Sequence, residues 1–303
     1  MSAQQNIKSH ISSPQHRPPH DLGCPMLQVV TGCSHGKCHF CDIFNGVPFA
    51  ASPEEEVKAD IKEIARTATA LTRRIYLTGG NPFALPTHRL IEIFDMVEER
   101  IPTVNSYGGF CRIVDVASKS DEELALLASR GVNRITIGAE SGFDEALEFM
   151  EKGHTAADIV EQGRRLHEAG IDFTFFYLAG MAGAGRGEEN AIASARAFSA
   201  ANPSDILIVT LTPTQTWPLA RDIAAGTWAA PTEGEMAREI RTFIEHLTCT
   251  CHVNCAHDTD VLRFEGMVPE AQGLMLELLD NLIPKMNEGA ARRMREMLHK
   301  ASF

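Results

Sequence analysis

The sequence predicts an α/β fold, a partial (β/α)6 barrel of the TIM type with a C-terminal helical extension, on three observations. Short, near-continuous apolar runs recur at 27–31, 74–78, 103–107, 134–138, 172–178 and 206–211. That is the pattern of parallel strands covered on both faces. Between them lie stretches with apolar residues at helical spacing, several opened by N-cap signals. Six strand–helix units in succession imply a parallel sheet, yet they fall short of the eight in a closed barrel.

Taken in order, the run at 27–31 leads straight into a cysteine-rich loop. Ser52-Pro53-Glu54-Glu55 then combines an N-cap, a first-turn proline and a capping-box acid. Behind it Val57, Ile61, Ile64, Ala68 and Leu71 trace one apolar helix face. The run at 74–78 ends on Thr78-Gly79-Gly80-Asn81-Pro82, and that at 134–138 on Gly138-Ala139-Glu140-Ser141-Gly142. Ser120 with Glu123, Thr155 with Asp158 and Thr232 with Glu235 repeat the capping device. Helices are expected at 269–287 and 289–300, packed against the barrel. The chain thus divides into a polar N-terminal tail at 1–22, the barrel at 23–247, and a cysteine-containing segment with helices at 248–303.

Composition narrows the function. With 303 residues, 44% of them hydrophobic, the chain can bury a full core. It has no apolar run long enough to cross a bilayer. Residues 1–20 lack the charged-then-apolar layout of a signal peptide, so a cytoplasmic location is expected. A net charge of −12 argues against a surface that tracks phosphates, and hence against a nucleic-acid partner. Eight cysteines in a chain this size do not make a disulfide scaffold; clustered in a reducing compartment, they point to metal or redox chemistry.

The cluster is Cys33, Cys38 and Cys41, three thiols within nine residues after the first strand. Active sites of barrel folds sit at that carboxyl end of the strands. Three cysteines on a four-iron cluster leave one iron open to a small molecule. A structural zinc site wants a fourth ligand, which His35 or His39 could supply. A ferredoxin-like electron carrier normally needs four cysteines per cluster. Spacing alone leaves all three open. Elsewhere, a carboxylate at Glu140 would point into the barrel mouth, and it cannot be buried without a partner. Adjacent glycines at Gly79 and Gly80 let a ligand approach the backbone. The glycine spacing of Gly180 to Gly185 resembles a phosphate loop but lacks the following Gly-Lys-Ser/Thr.

The C-x4-C-x2-C arrangement with Phe40 before the last cysteine resembles the radical S-adenosylmethionine (SAM) superfamily. The common superfamily spacing is C-x3-C-x2-C; this chain is similar to a branch related to biotin synthase and oxygen-independent coproporphyrinogen III oxidases. Arg17-Pro18-Pro19, Gly80-Asn81, Gly138-Ala139-Glu140-Ser141-Gly142 and Lys152-Gly153 extend the likeness. The resemblance implies a [4Fe–4S] cluster on Cys33, Cys38 and Cys41 that reductively cleaves SAM to a 5′-deoxyadenosyl radical. That radical would abstract hydrogen from a substrate which the shared core does not fix. The resemblance places Gly79, Gly80 and Asn81 at the methionyl amino group, with Asn81 standing where many members have glutamate. It makes Glu140 and Ser141 further SAM contacts, puts Phe40 near the adenine, and leaves Arg164 as a candidate grip on the methionyl carboxylate. An electron donor such as flavodoxin or ferredoxin would be the partner.

The stretch Cys249-Thr250-Cys251-His252-Val253-Asn254-Cys255 departs from the branch, which usually carries a histidine-alanine-serine-asparagine run there. Cys249, Cys251 and Cys255 are candidates for a second metal site, or else buried thiols. Neither a helix nor an extended strand is expected to bring all three sulfurs together, so the metal reading requires an irregular loop. Cys24 and Cys111 are isolated and are expected to act as small apolar residues.

Overall fold

Alternation between covered and uncovered strand faces organises the protein. A computed structural model describes residues 17–213, 216–257 and 260–302; residues 1–16 of the expected tail lie outside the described residues. The first expected strand divides into β1 (Met26–Gln28) and β2 (Val30–Thr31), and β2 pairs antiparallel with β3 (Ala50–Ala51). After α1 (Glu54–Thr67) come β4 (Arg74–Thr78), α2 (Thr87–Arg100) and β5 (Ser106–Cys111). Two short helices, α3 (Ile113–Ala117) and α4 (Asp121–Ser129), lead to β6 (Ile135–Glu140). Then follow α5 (Asp144–Phe149), α6 (Ala156–Ala169), β7 (Phe173–Ala179), α7 (Gly187–Ala201) and β8 (Asp205–Thr210).

β5 begins three residues later than expected because the chain continues extended through Gly108 and Gly109, which lower strand propensity. Both glycines are needed: a Cβ on Gly108 would meet the Arg74 guanidinium at 2.0 Å, and one on Gly109 the Leu77 carbonyl at 2.8 Å. The capping boxes at Ser120, Thr155 and Thr232 all form, each typically worth about 1 kcal/mol. The one at Ser52 does not. α1 starts at Glu54 behind Pro53, and it ends at Thr67, leaving Leu71 exposed rather than on the helix face.

The main sheet runs β1-β4-β5-β6-β7-β8, the six parallel strands expected of the partial barrel, and two further strands then extend it. After α8 (Leu219–Ala225) and α9 (Glu233–His246), the cysteine segment forms β9 (Cys251–Cys255), parallel to β8, with His252 opposite Asp205. β10 (Phe264–Val268) pairs antiparallel with β9, ahead of α10 (Gln272–Leu282) and α11 (Glu288–Ser302). The sheet therefore crosses the expected boundary at 247, and the cysteine segment is a regular strand, not an irregular loop. An extended chain repeats every two residues, so Cys251, Val253 and Cys255 share one buried face, while Cys249 lies in the bend before the strand. This strand escaped the apolar-run reading because His252 and Asn254 alternate with the buried residues.

One face of the sheet carries Ile75, Leu77, Ile135, Ile137, Phe173, Phe175, Ile206 and Ile208 into the core. Alternate residues make the inner face, where Tyr76, Phe110 and Phe176 meet with ring centroids 5.9 and 6.0 Å apart. At the amino end of the strands, buried Asp21 accepts from Arg74 Nε at 2.5 Å, and Arg74 donates onward to Ser106 and Asn133. Residues 17–22 of the expected tail are thus docked under the sheet, and the carboxyl end faces the cysteine loop.

Candidate functional site

The cysteine loop is fixed at its base by the β2–β3 pair and by Gly32, whose φ of +63° and closeness to the Val47 carbonyl (2.4 Å from a built Cβ) admit no side chain. From the β4 turn, Gly80 N donates to the Gly32 carbonyl at 3.0 Å. Asn81 Oδ1 accepts from Ser34 N at 2.9 Å, while Asn81 Nδ2 donates to Ser34 Oγ and to both oxygens of Asp115. On the other side, His39 N donates to the Met150 carbonyl, and the His39 carbonyl accepts from Leu219 N at 2.9 Å. Trp217 Nε1 donates to Asp42 Oδ1 at 2.7 Å, across 175 residues of sequence.

Held from these sides, Cys33, Cys38 and Cys41 are all free and half-buried. Burial raises the Cys41 thiol to about 11 and moves Cys38 upward as well, with Lys152 pulling both the other way. Bare, these groups hold protons; a soft metal partner would have to displace them. Each imidazole already has a partner in the protein on at least one ring nitrogen. His35 Nε2 bonds the Glu151 carbonyl at 2.5 Å, and His39 lies 3.1 Å from Asp222 Oδ2 and 3.5 Å from Glu151 Oε1. Three soft sulfurs, with no fourth donor beside them established among the described residues, suit a cluster that leaves one metal open.

Beside the loop, β6 ends on Glu140 in the left-handed region, φ +67°, where a residue with a Cβ is strained. Glu140 Oε1 accepts from Lys152 Nζ at 3.1 Å, and the ammonium stands 5.5 Å from the centroid of the Phe40 ring. Burial opposes the charge on Lys152, but Glu140 and Cys38 outweigh it and raise its pKa. Arg112 supports the same corner by donating to the Lys152 carbonyl at 2.9 Å. His154, two residues on, is driven down to about 3 by burial and by Lys152, so it stays neutral while bonding the Ala139 carbonyl. Lys152 is the partner of Glu140 that site reasoning from sequence missed. The signal was present, because a buried carboxylate at Glu140 demands a cation.

The expected site residues divide. Phe40, Glu140, Gly79 and Gly80 gather around the cysteines; a Cβ on Gly79 would meet the Val30 carbonyl at 2.2 Å and one on Gly80 the Gly32 carbonyl at 2.0 Å. What approaches Gly79 on that side is β2, and what approaches Gly80 is the base of the cysteine loop. Asn81 is buried, with its amide spent on Ser34 and Asp115. Ser141 is not brought to the site: it is fully buried, donates to Asn190 Oδ1 at 2.5 Å and accepts from Phe143 N. Arg164 is not brought there either. It is exposed on α6 and pairs with Glu161 and Glu168, because helical spacing puts those acids within its reach. Among the C-terminal cysteines, Cys249 and Cys251 sulfurs lie 3.6 Å apart, whereas Cys255 faces Asp260 and the Leu262 carbonyl. The three-sulfur arrangement of a second metal site is not assembled.

The family model for the radical SAM superfamily matches residues 27–192, a span holding the cysteine loop, the β4 turn, Glu140 and Lys152. The chain belongs to the radical SAM superfamily. Heme chaperone HemW of Bacillus subtilis is 28% identical over 145 residues, 46% of this chain and 38% of that protein. This chain thus spans well under half the length of that relative. Among solved structures, the radical SAM methyltransferase TsrM from Kitasatospora setae superposes with a TM-score of 0.55 at 19% identity, over 67% of this chain and 40% of that one. Coproporphyrinogen III oxidase HemN from Escherichia coli gives 0.53 at 15%, over 73% and 52%. At these identities the likeness establishes the fold of this radical SAM protein, a mostly parallel, open partial barrel. No helix among the described residues is long and apolar enough to cross a membrane.

Proposed function

We propose that this radical SAM protein holds a [4Fe–4S] cluster on Cys33, Cys38 and Cys41 and cleaves SAM reductively beside it. The carrying observation is three half-buried thiols, none of them in a disulfide, at the carboxyl end of the sheet, next to the Glu140–Lys152 pair. When bound, the cluster would supply the electron that releases methionine and a 5′-deoxyadenosyl radical able to take hydrogen from an unactivated carbon. The chain's own residues bind and orient. Glu140 offers a carboxylate to the SAM ammonium or ribose hydroxyls, and Lys152 keeps that carboxylate aimed. Phe40 presents a ring for the adenine, and the Gly79–Gly80 backbone lines the methionyl end. Asn81 and Ser141 act one step back, Asn81 by locking the cysteine loop and Ser141 by fixing the turn after Glu140. A small electron carrier such as flavodoxin or ferredoxin is the proposed donor. The acidic chain, net −12, favours a substrate other than nucleic acid in a cytoplasmic setting.

Anaerobic reconstitution followed by a 5′-deoxyadenosine assay with a strong reductant tests this reading. Product should form slowly even without substrate. Glu140→Ala should retain iron but bind SAM at least several-fold more weakly. Protein that holds the cluster and forms no 5′-deoxyadenosine would overturn the proposal, and a Glu140 variant with unaltered SAM affinity would remove that residue from it.

A further inference from the structure

We propose that Cys249 and Cys251 form a redox-active dithiol, closing to an intrachain disulfide by exchange with a small disulfide such as oxidised glutathione. The pair lies where β9 begins, beside Asp205 at the start of β8, and so at the opposite end of the sheet from Cys33, Cys38 and Cys41. Cys249 occupies the bend before the strand and Cys251 is its first residue. Their sulfurs are 3.6 Å apart and share a hydrogen bond. Contact of two sulfurs at this distance needs only a short approach to the bond length of about 2.05 Å. Cys255, by contrast, is turned to Asp260 and Leu262, which leaves a pair rather than a trio. Isolated core thiols do not meet in this way.

The two thiols are unequal. Hydrogen bonding from Cys251 holds the Cys249 thiol below the ordinary range, while Cys251 is raised by the same bond and by burial. Cys249 is 6% exposed, between exposed Thr248 and Thr250, and Cys251 is fully covered. Cys249 is therefore the attacking sulfur and Cys251 the resolving one. The Cys249 thiolate attacks one sulfur of the small disulfide and releases one thiolate, leaving a mixed disulfide. Cys251 then gives its proton to solvent, attacks Cys249 Sγ and expels the second thiolate. Two electrons leave the protein pair, and the small disulfide becomes two thiols.

The test uses the full-length holoprotein, equilibrated anaerobically with reduced and oxidised glutathione, quenched, alkylated with iodoacetamide and digested with trypsin. The peptide spanning 242–263 carries all three C-terminal cysteines. Under oxidising poise it should lose two of its three alkyl groups and be about 2 Da lighter than the free dithiol before alkylation. Cys255→Ser should give the same cross-link, and Cys249→Ser or Cys251→Ser should abolish it. Where a serine variant fails to fold, fragmentation of the wild-type peptide locates the bridge, since no backbone fragment separates inside the Cys249–Cys251 ring. Full alkylation of all three cysteines at every poise, or a bridge to Cys255, overturns the proposal. Stoichiometric iron or zinc held by Cys249 and Cys251 in the Cys33/Cys38/Cys41→Ala variant also overturns it. None of these outcomes depends on 5′-deoxyadenosine formation.

Discussion

Two stretches of this chain carry three cysteines each, and the structure gives them opposite surroundings. Cys33, Cys38 and Cys41 sit in a loop whose backbone bonds are spent on Asn81, Met150 and Leu219, so its shape is fixed while its sulfurs stay half-buried and outside any disulfide. Cys251 and Cys255 belong to β9, where backbone pairing to β8 and β10 turns every second side chain into the core. Each stretch packs its three sulfurs into nine residues or fewer. What differs is whether the backbone pairs in a regular ladder or is tied at single points to distant segments, which leaves a loop free to present its sulfurs.

The sharpest way to break that comparison is to remove each set in turn. Replacing Cys33, Cys38 and Cys41 together by alanine should abolish iron, brown colour and 5′-deoxyadenosine formation. Replacing Cys249, Cys251 and Cys255 by serine should leave iron per chain unchanged, though the folded state will be weakened. Iron analysis and visible absorption of both anaerobic proteins decide it. Equal iron loss from the two would mean that the C-terminal set shares in cluster binding.

Most of the architecture was legible because parallel strands covered on both faces write themselves as apolar runs, and capping boxes mark helix starts. β9 and β10 were not, since their polar residues alternate and Cys251–Cys255 looks like ligand chemistry rather than strand. At the site, Cys33, Cys38, Cys41 and Glu140 could be read from spacing and position. Lys152 could not be assigned as Glu140's partner, because the pairing depends on how the chain after α5 returns to the end of β6. Ser141 and Arg164 failed for the same reason: direction along a strand end or helix face is set by packing that spacing does not carry.

The second largest effect concerns charge near the loop. Lys152→Met strands Glu140 in a largely buried position, and breaking such a pair typically costs about 3–5 kcal/mol. Denaturant midpoints should show this loss, with 5′-deoxyadenosine formation falling by at least an order of magnitude. Adding Glu140→Gln should recover much of the stability but none of the activity. A stable single variant would mean that the ion pair contributes little and that the loop resembles the strand more than its charges suggest.

The strand region offers the converse test, because it disfavours anions. Asp260 is fully buried and accepts from Thr210 N, Thr210 Oγ1, His257 N and the Cys255 thiol. Burial nevertheless pushes its carboxyl up to about 7. A carboxyl raised on folding stabilises the native state below its unfolded pKa, and that contribution is lost as pH rises toward the folded value. Asp260→Asn cannot ionise. Its deficit against wild type should therefore shrink between about pH 5 and pH 8, by on the order of 2–4 kcal/mol. Urea midpoints at the two pH values check the sign; a deficit that grows with pH would mean that Asp260 is held ionised.

The smallest effect is the most specific to the loop. If side chains from elsewhere hold the cysteine loop in shape, then Trp217→Phe, which removes the donor to Asp42 Oδ1, should loosen the cluster more than the fold. The residue is half-buried, so the bond is worth about 1 kcal/mol, and the melting temperature should drop by only about 2 °C. Iron loss to a chelator should accelerate a few-fold, because only the local opening of the loop becomes easier. Asp42→Ala should mimic this, and the double variant should lose iron no faster than either single one, since one shared interaction has been removed twice. Additive rates would show that Trp217 and Asp42 act independently. A melting change larger than about 5 °C with unaltered iron release would place Trp217 in the general packing of α8 and not in the support of the cysteines.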